Sequence, residues 1–147
     1  PRALVVDPRS DLPPMPKRGK IGLVAQTTQY PQDYRNVIEK VVAADFEEVR
    51  VFNTICNATI VRQEAAVALA SQVDIMFVLG GRNSANTNRL AEICKATGVE
   101  ARHIETADEL NERWLEGKRT VGITAGASTP EWLIEEFISR LKRVSGA

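Results

Sequence analysis

Asp74-Ile75-Met76-Phe77-Val78-Leu79-Gly80-Gly81-Arg82-Asn83-Ser84-Ala85-Asn86-Thr87 is the stretch on which the fold turns. Asp74–Leu79 reads as a short strand that is apolar on both faces, and such a strand has to be covered on both sides, as in a parallel α/β sheet. Gly80–Thr87 then changes to glycines, hydroxyls and carboxamides, the composition of a loop entering a helix. Working outward, Ile21–Gln26, Val49–Thr54, Glu100–Ile104 and Thr120–Thr124 are further strand candidates. Helical stripes lie between them. Tyr34, Val37, Ile38, Val41 and Val42 repeat at i, i+3, i+4, i+7 and i+8. Leu90, Ile93 and Cys94 form a shorter stripe, and Ile134, Phe137, Ile138, Leu141 and Val144 a strong final one. Ala107–Leu115 is a weaker helix with Leu110 and Trp114 on one side. Alternating strands and helices define the α/β class. The expected architecture is a parallel four-stranded sheet with helices on both faces over residues 49–147, plus a partial βα unit of a neighbouring domain over residues 20–48.

Five of the seven prolines (Pro1, Pro8, Pro13, Pro14 and Pro16) precede Lys17. Ala3–Val6 is a candidate short strand. Asp7–Gly19 reads as an extended linker, because each proline removes a backbone donor and biases its predecessor away from helix. Residues 1–19 therefore look like a truncated strand and a Pro-rich linker, and the chain is expected to be the back part of a longer protein.

The 147 residues are 44% apolar and 26% charged, within the range of a globular domain. Lys plus Arg and Asp plus Glu each number 19, so there is no basic footprint for nucleic acid and no polybasic membrane-binding run. No apolar stretch approaches the ~20 residues that span a bilayer, and no signal-peptide core is present. Two cysteines are too few for a disulfide framework, and cytoplasm is the expected compartment. Neither a P-loop, a Gly-x-Gly-x-x-Gly, a Cys-x-x-Cys nor a Gly-x-Ser-x-Gly occurs.

Ligands of open α/β sheets bind beyond the carboxyl ends of the strands. Four of the five ends are polar and almost free of ionisable groups: Gln26-Thr27-Thr28, Asn53–Thr59, Gly80–Thr87 and Ala125–Pro130. Helix N-termini beside such residues offer free N–H groups and a partial positive charge, and several together suit a phosphate or diphosphate. The simpler account is that Ser, Thr and Asn are merely N-caps, with Ser128-Thr129-Pro130-Glu131 fitting a capping box. The fourth strand runs into Glu105-Thr106-Ala107-Asp108, a plain helix cap. Thr28, Cys56 and Ser84 are equally spaced by 28 residues (56 − 28 and 84 − 56), as a repeated βα unit would give. Cys94, on an apolar helix stripe, reads as inert core. Cys56, between a strand and a helix, lies where a helix end favours a thiolate. His103 reads as structural or exposed, and Trp114 and Trp132 as packing residues.

Taken together, Ala25-Gln26-Thr27-Thr28, Thr54-Ile55-Cys56-Asn57-Ala58-Thr59 with Arg62-Gln63-Glu64, Gly80–Leu90 and Thr124–Pro130 resemble the LytB-type 4-hydroxy-3-methylbut-2-enyl diphosphate reductases, in order and spacing, over nearly the whole chain from Lys20. The resemblance implies an oxidoreductase of the non-mevalonate isoprenoid pathway. That enzyme removes an allylic hydroxyl with two electrons and protons to give isopentenyl and dimethylallyl diphosphates. It implies three related α/β units around an iron–sulfur (4Fe-4S) cluster held by three cysteines, with one iron open to the substrate hydroxyl. It also implies an electron donor of ferredoxin or flavodoxin type. By the same resemblance Cys56 is one cluster ligand, and Thr27 hydrogen-bonds near the substrate hydroxyl and relays protons. Ser84, Asn86 and Ser128 form the diphosphate-binding set. Ala85 stands where many members carry serine, which leaves its backbone N–H as donor. Gln26, Thr59 and Asn83 are further members of the motifs.

The family's other two cluster cysteines, its diphosphate-binding histidines and its catalytic glutamate are expected upstream of this chain. On this reading residues 20–48 are the second half of the middle unit and residues 49–147 the third unit. The chain alone is expected to be inactive and to hold no cluster stably. The alternatives are a non-catalytic α/β module binding a phosphate or a partner protein, and a structural domain whose polar ends are all caps. The shared-ligand reading expects Cys56, Ser84, Asn86 and Ser128 at one rim of one sheet, with Thr27 standing apart.

Overall fold

The computed structural model describes residues 3–15 and 18–146; Pro1 and Pro16, two of the N-terminal prolines, lie outside the described residues. The order is β1 (Lys20–Val24), α1 (Pro31–Val42), β2 (Glu48–Phe52), α2 (Asn57–Ala70), β3 (Ile75–Leu79), α3 (Ala85–Ala96), β4 (Glu100–Ile104), two 3₁₀ turns (Ala107–Glu109 and Glu112–Leu115), β5 (Val121–Ala125) and α4 (Glu131–Ser145). All five expected strands and the four principal helices are present. The chain divides into two compact units, Pro1–Ile60 and Val61–Ala147.

In the first unit β1 and β2 pair in parallel, with Lys20 opposite Glu48 and Val24 opposite Phe52. Leu23, Tyr34 and Val41 are its buried centre, and Val37, Ile38 and Val49 pack against them. The Tyr34 hydroxyl donates to the Phe52 carbonyl at 2.9 Å. The Thr54 hydroxyl ties the strand ends together: it accepts from the Ala25 N–H at 2.8 Å and donates to the Ala25 carbonyl at 2.6 Å. This pairing corrects the four-stranded sheet expected over residues 49–147. β2 belongs with β1, and the second sheet has three strands. A βα repeat reads the same whichever neighbour a strand joins. Here the packing of Val49 against the Tyr34 cluster and the Thr54 bridge decide the partner.

Ala3–Val6 forms no strand. The chain turns at Asp7–Ser10, where the Ser10 N–H donates to the Asp7 carbonyl at 3.0 Å and the Arg9 N–H to the Asp7 carboxylate at 2.9 Å. The linker is anchored: Leu12 and Met15 pack on the first core, and the Lys40 ammonium donates to the Ser10 carbonyl at 2.8 Å.

In the second unit the strand order is β4-β3-β5, all parallel. Each β3 residue from Ile75 to Leu79 is 0% exposed. Ile75, Phe77 and Leu79 share one face with Ile104, Ala107, Leu110 and Phe137, and Ile134 and Leu141 of α4 close over them. On the other face Met76 lies against Gly122, with Leu69 and Val73 over it. Leu90, Ile93 and Cys94 of α3 are buried and stand outside the α4 cluster. Both faces are thus covered, as the apolar β3 sequence requires.

The expected helix over Ala107–Leu115 is instead two 3₁₀ turns. Leu110 is extended between them, and the Asn111 carboxamide starts the second by accepting from the Arg113 N–H at 3.1 Å. Trp114 packs as expected, its ring centroid 6.3 Å from that of Phe77 and 4.9 Å beneath the Arg102 guanidinium. Trp132 does not pack: it is 63% exposed, on the outer side of α4 opposite buried Leu133 and Phe137.

Phe77 joins Trp114 and Phe137 in one ring cluster. Phe77→Ala is expected to destabilise the second unit by roughly 3–5 kcal/mol, a large share of the ~5–15 kcal/mol of an ordinary domain. Urea denaturation followed by tryptophan fluorescence measures it; a loss below about 1 kcal/mol would contradict the packing described.

Candidate functional site

The polar ends form two groups, one in each unit. In the first, Gln26, Thr27 and Cys56 are exposed beyond β1 and β2. The Gln29 N–H closes a turn on the Gln26 carbonyl at 3.0 Å, and the Cys56 N–H donates to the Thr27 carbonyl at 2.9 Å. Cys56 immediately precedes α2, and its own carbonyl accepts the N–H groups of Thr59 and Ile60 at 2.9 and 3.1 Å. The thiol is therefore exposed at a helix N-terminus. Thr59, one turn on, is buried. Thr27 thus stands directly against Cys56, contrary to the expectation that it would stand apart. Conversely, Cys56 follows the β1–β2 sheet, whereas Ser84, Asn86 and Ser128 follow the β4-β3-β5 sheet. The expectation of one rim of one sheet is corrected accordingly, because β2 pairs with β1.

In the second unit β3 and β5 are adjacent and in register to Leu79 opposite Ala125. The helices that follow them, α3 and α4, take opposite faces, so the gap between the two strand ends is a switch point of the kind where open α/β sheets place ligands. Gly80 carries the β3 loop away with φ +136°, a conformation that favours glycine. The Gly80 N–H donates to the Ile104 carbonyl at 2.9 Å, and the Gly126 N–H donates to the Leu79 carbonyl at 3.0 Å. Ser84 caps α3, its hydroxyl accepting from the Thr87 N–H at 3.3 Å. Asn83 and Ala85 are exposed around it. Asn86 is 8% exposed, and its side-chain oxygen and nitrogen are both buried with no hydrogen-bond partner among the described residues.

Ser128 is exposed on the β5–α4 loop. It is not a cap: α4 starts after Pro130 without a side-chain capping bond. The expected capping box does not form, because Thr129 turns inward and donates its hydroxyl to the Leu79 carbonyl at 3.0 Å. Of the two equally spaced pairs, Cys56 and Ser84 occupy matching places just before α2 and α3, while Thr28 lies further ahead of α1.

The β4 end, read from sequence as a plain cap, instead holds the β3 loop. Thr106 makes no side-chain cap bond. Glu105 accepts from the Arg82 N–H at 3.2 Å and from its guanidinium at 3.1 Å, and Glu109 pairs with the same guanidinium. Glu109 foremost, then Glu105, hold the Arg82 charge above its ordinary range. His103 Nε2 lies 2.8 Å from the Gly80 carbonyl. These residues sit more than twenty positions from the loop they hold, and no local sequence signal marks them.

A covered parallel α/β sheet with its polar loops gathered at a strand switch point defines the class. A family model described as LytB protein matches residues 1–142, and the chain belongs to that family. It is 50% identical over 144 residues to the 4-hydroxy-3-methylbut-2-enyl diphosphate reductase of Geotalea uraniireducens, covering 98% of this chain and 51% of that protein. It is 53% identical over 133 residues to the enzyme of the same name from Trichlorobacter lovleyi, covering 90% and 47%. The chain thus spans about half the length of the curated relatives it matches. A solved structure of (E)-4-hydroxy-3-methyl-but-2-enyl diphosphate reductase, described as the terminal enzyme of the non-mevalonate pathway, superposes with a TM-score of 0.60 at 48% identity over 84% of this chain and 44% of that one. The structure of the E-1-hydroxy-2-methyl-but-2-enyl-4-diphosphate reductase from Plasmodium falciparum superposes with a TM-score of 0.75 at 26% identity over 84% and 39%.

The two thiols differ as the sequence predicts. Cys94 is 0% exposed, and burial pushes its pKa up to about 11, so it is protonated at neutral pH. Ellman's reagent is expected to modify Cys56 rapidly in the folded chain and Cys94 only on unfolding. Cys56→Ser should abolish the fast phase; two fast thiols in the native wild type would contradict the burial of Cys94.

Proposed function

We propose that this chain is part of an iron–sulfur reductase converting 4-hydroxy-3-methylbut-2-enyl diphosphate to isopentenyl and dimethylallyl diphosphates in the non-mevalonate isoprenoid pathway. The observation that carries this reading is the 50% identity to a reductase of that name across 98% of the chain. The first compact unit is then part of the family's middle α/β unit and the second its third unit. The reaction takes place in the cytoplasm with electrons from a ferredoxin- or flavodoxin-type donor.

The residues of this chain do not by themselves suit a whole three-cysteine cluster. Among the described residues no three His, Cys, Asp or Glu side chains gather as metal ligands, and Cys94 is sealed in the core. Cys56 suits one ligand of a site completed from outside the chain: its thiol is exposed where α2 begins. Thr27, joined to Cys56 through the backbone, is the residue for a proton near the substrate hydroxyl, with Gln26 and Thr59 beside it. Ser84, Asn86 and Ser128 take the diphosphate, with the Ala85 N–H and Asn83 at the same loop. The buried, unpartnered amide of Asn86 supports this assignment, since a buried polar group left unpaired costs about 1–3 kcal/mol.

Two experiments test the reading. Inorganic diphosphate added to the chain and followed by NMR is expected to shift the amides of Ser84, Asn86 and Ser128, with Kd in the millimolar range, about −4 kcal/mol. Neutral donors contribute only ~0.5–1.5 kcal/mol each. Ser84→Ala and Ser128→Ala should each weaken binding and Cys94→Ala should not. Shifts confined to Arg140 and Arg143 would remove the diphosphate assignment.

The second experiment joins this chain to the remaining half of the Geotalea uraniireducens enzyme and assays the chimera anaerobically. Activity is expected, with Cys56→Ser abolishing both activity and iron content. Thr27→Val should lower turnover by about a hundredfold. A folded, iron-loaded chimera without reductase activity would sink the reductase reading. Intact diphosphate shifts in that case would leave a phosphate-binding module.

A further inference from the structure

We propose that Thr87 is a positioning residue: wedged between Gly80 and Gly126, it sets the gap between the β3–α3 and β5–α4 loops and fixes the Asn86 amide beside it. Thr87 is 0% exposed, and its hydroxyl has no hydrogen-bond partner among the described residues. A methyl group on Gly80 would stand 2.9 Å from the Thr87 hydroxyl oxygen and 3.2 Å from its Cγ2. A methyl group on Gly126 would overlap that oxygen outright. Gly80 has a second reason to be glycine, its φ of +136°. Gly126 has no such positive φ, so the approach of Thr87, with Thr129 behind it, is what accounts for its missing side chain.

The wedge joins the two loops at their roots. Thr129 comes from the β5 side, and its hydroxyl is fixed on the Leu79 carbonyl at 3.0 Å. Thr87 comes from the β3 side, and its N–H is held by the Ser84 hydroxyl. Its backbone is therefore tied to Ser84 and its side chain to the base of the Ser128 loop. Asn86 lies between these ties, in the first turn of α3, with its amide buried and unpartnered. A β-branched residue suits the task, because its χ1 has few choices in a helix.

The inference rests on the diphosphate reading only for its ligand. The test uses the 147-residue chain and two NMR readouts: the Asn86 side-chain NH₂ signals without ligand, and the amide shifts on adding inorganic diphosphate. Gly126→Ala is expected to displace the Asn86 signals and weaken diphosphate binding about tenfold or more. Adding Thr87→Ala to Gly126→Ala removes the overlapping atoms and should return both readouts toward wild type. If wild type binds no diphosphate, the ligand reading fails, and the Asn86 signals still judge the wedge. Asn86 signals unmoved by Gly126→Ala, or still displaced in the double variant, would overturn the proposal. If Gly126→Ala alone does not fold, the double variant must fold with wild-type Asn86 signals; its failure would equally overturn it.

Discussion

The seal around β3 governs the rest of the second unit. Five consecutive residues, Ile75–Leu79, have no contact with solvent, so the chain has to cover two faces of one strand at once. Burying such a side chain is worth roughly 1.5–3 kcal/mol, against about 1–2 kcal/mol to order one residue of backbone. The strand supports itself with a margin. The loops leaving it have no such margin, since their residues are mostly polar and exposed. They are therefore fixed by individual bonds: Gly80 to Ile104, Gly126 to Leu79, Arg82 to Glu105 and Glu109, and Thr129 to Leu79. Because α3 and α4 must take opposite faces, these loops part as they leave the sheet, and the switch point between them follows from the apolar strand that precedes it.

The electrostatics of the β3 loop run against a simple picture of anion binding by arginine. Arg82 is the loop's guanidinium, and two carboxylates hold it. One positive charge against two negative ones leaves the cluster anionic. Exposed pairs of this kind contribute about 0–1 kcal/mol each to stability, so their effect is on loop position. The donors left for an anion are neutral: backbone N–H groups at the start of α3, hydroxyls and the Asn86 carboxamide. Preorganisation then matters more than charge, because a weak donor contributes only when it needs no reorganisation to reach its acceptor.

What could be read in the sequence was what local periodicity encodes. The strands, the Tyr34 and Phe137 stripes and the inert position of Cys94 all follow from spacing, because burial repeats with the period of the element. The partner of β2 does not. Glu48–Phe52 has the same short apolar form whether it joins β1 or β3, and the Thr54 bridge to Ala25 links residues 29 apart. Arg82 and Glu105 are separated by 23 positions, so the second role of the β4 end had no local signature. Trp132 was misread because a tryptophan near a helix start looks like core until the facing stripe, Leu133 and Phe137, is known to point away from it. The 3₁₀ turns failed as a helix for a related reason. Leu110 and Trp114 both face the β3 core, but they reach it from separate turns with an extended residue between.

Capping and ligand binding compete as accounts of the same residue types, and the two serines resolve the competition differently. Ser128 caps nothing, so helix formation does not explain it. Ser84 does cap α3, accepting from the Thr87 N–H at 3.3 Å. Yet a hydroxyl has one donor and two acceptor lone pairs, and the cap occupies one lone pair. The Ser84 O–H keeps its donor, and an anion accepts that kind of bond. A cap of this sort also orients the hydroxyl, because the accepted N–H restricts where its oxygen can lie. Capping by Ser84 is therefore no evidence against a ligand at this loop: it holds at rest the donor that a diphosphate oxygen would meet.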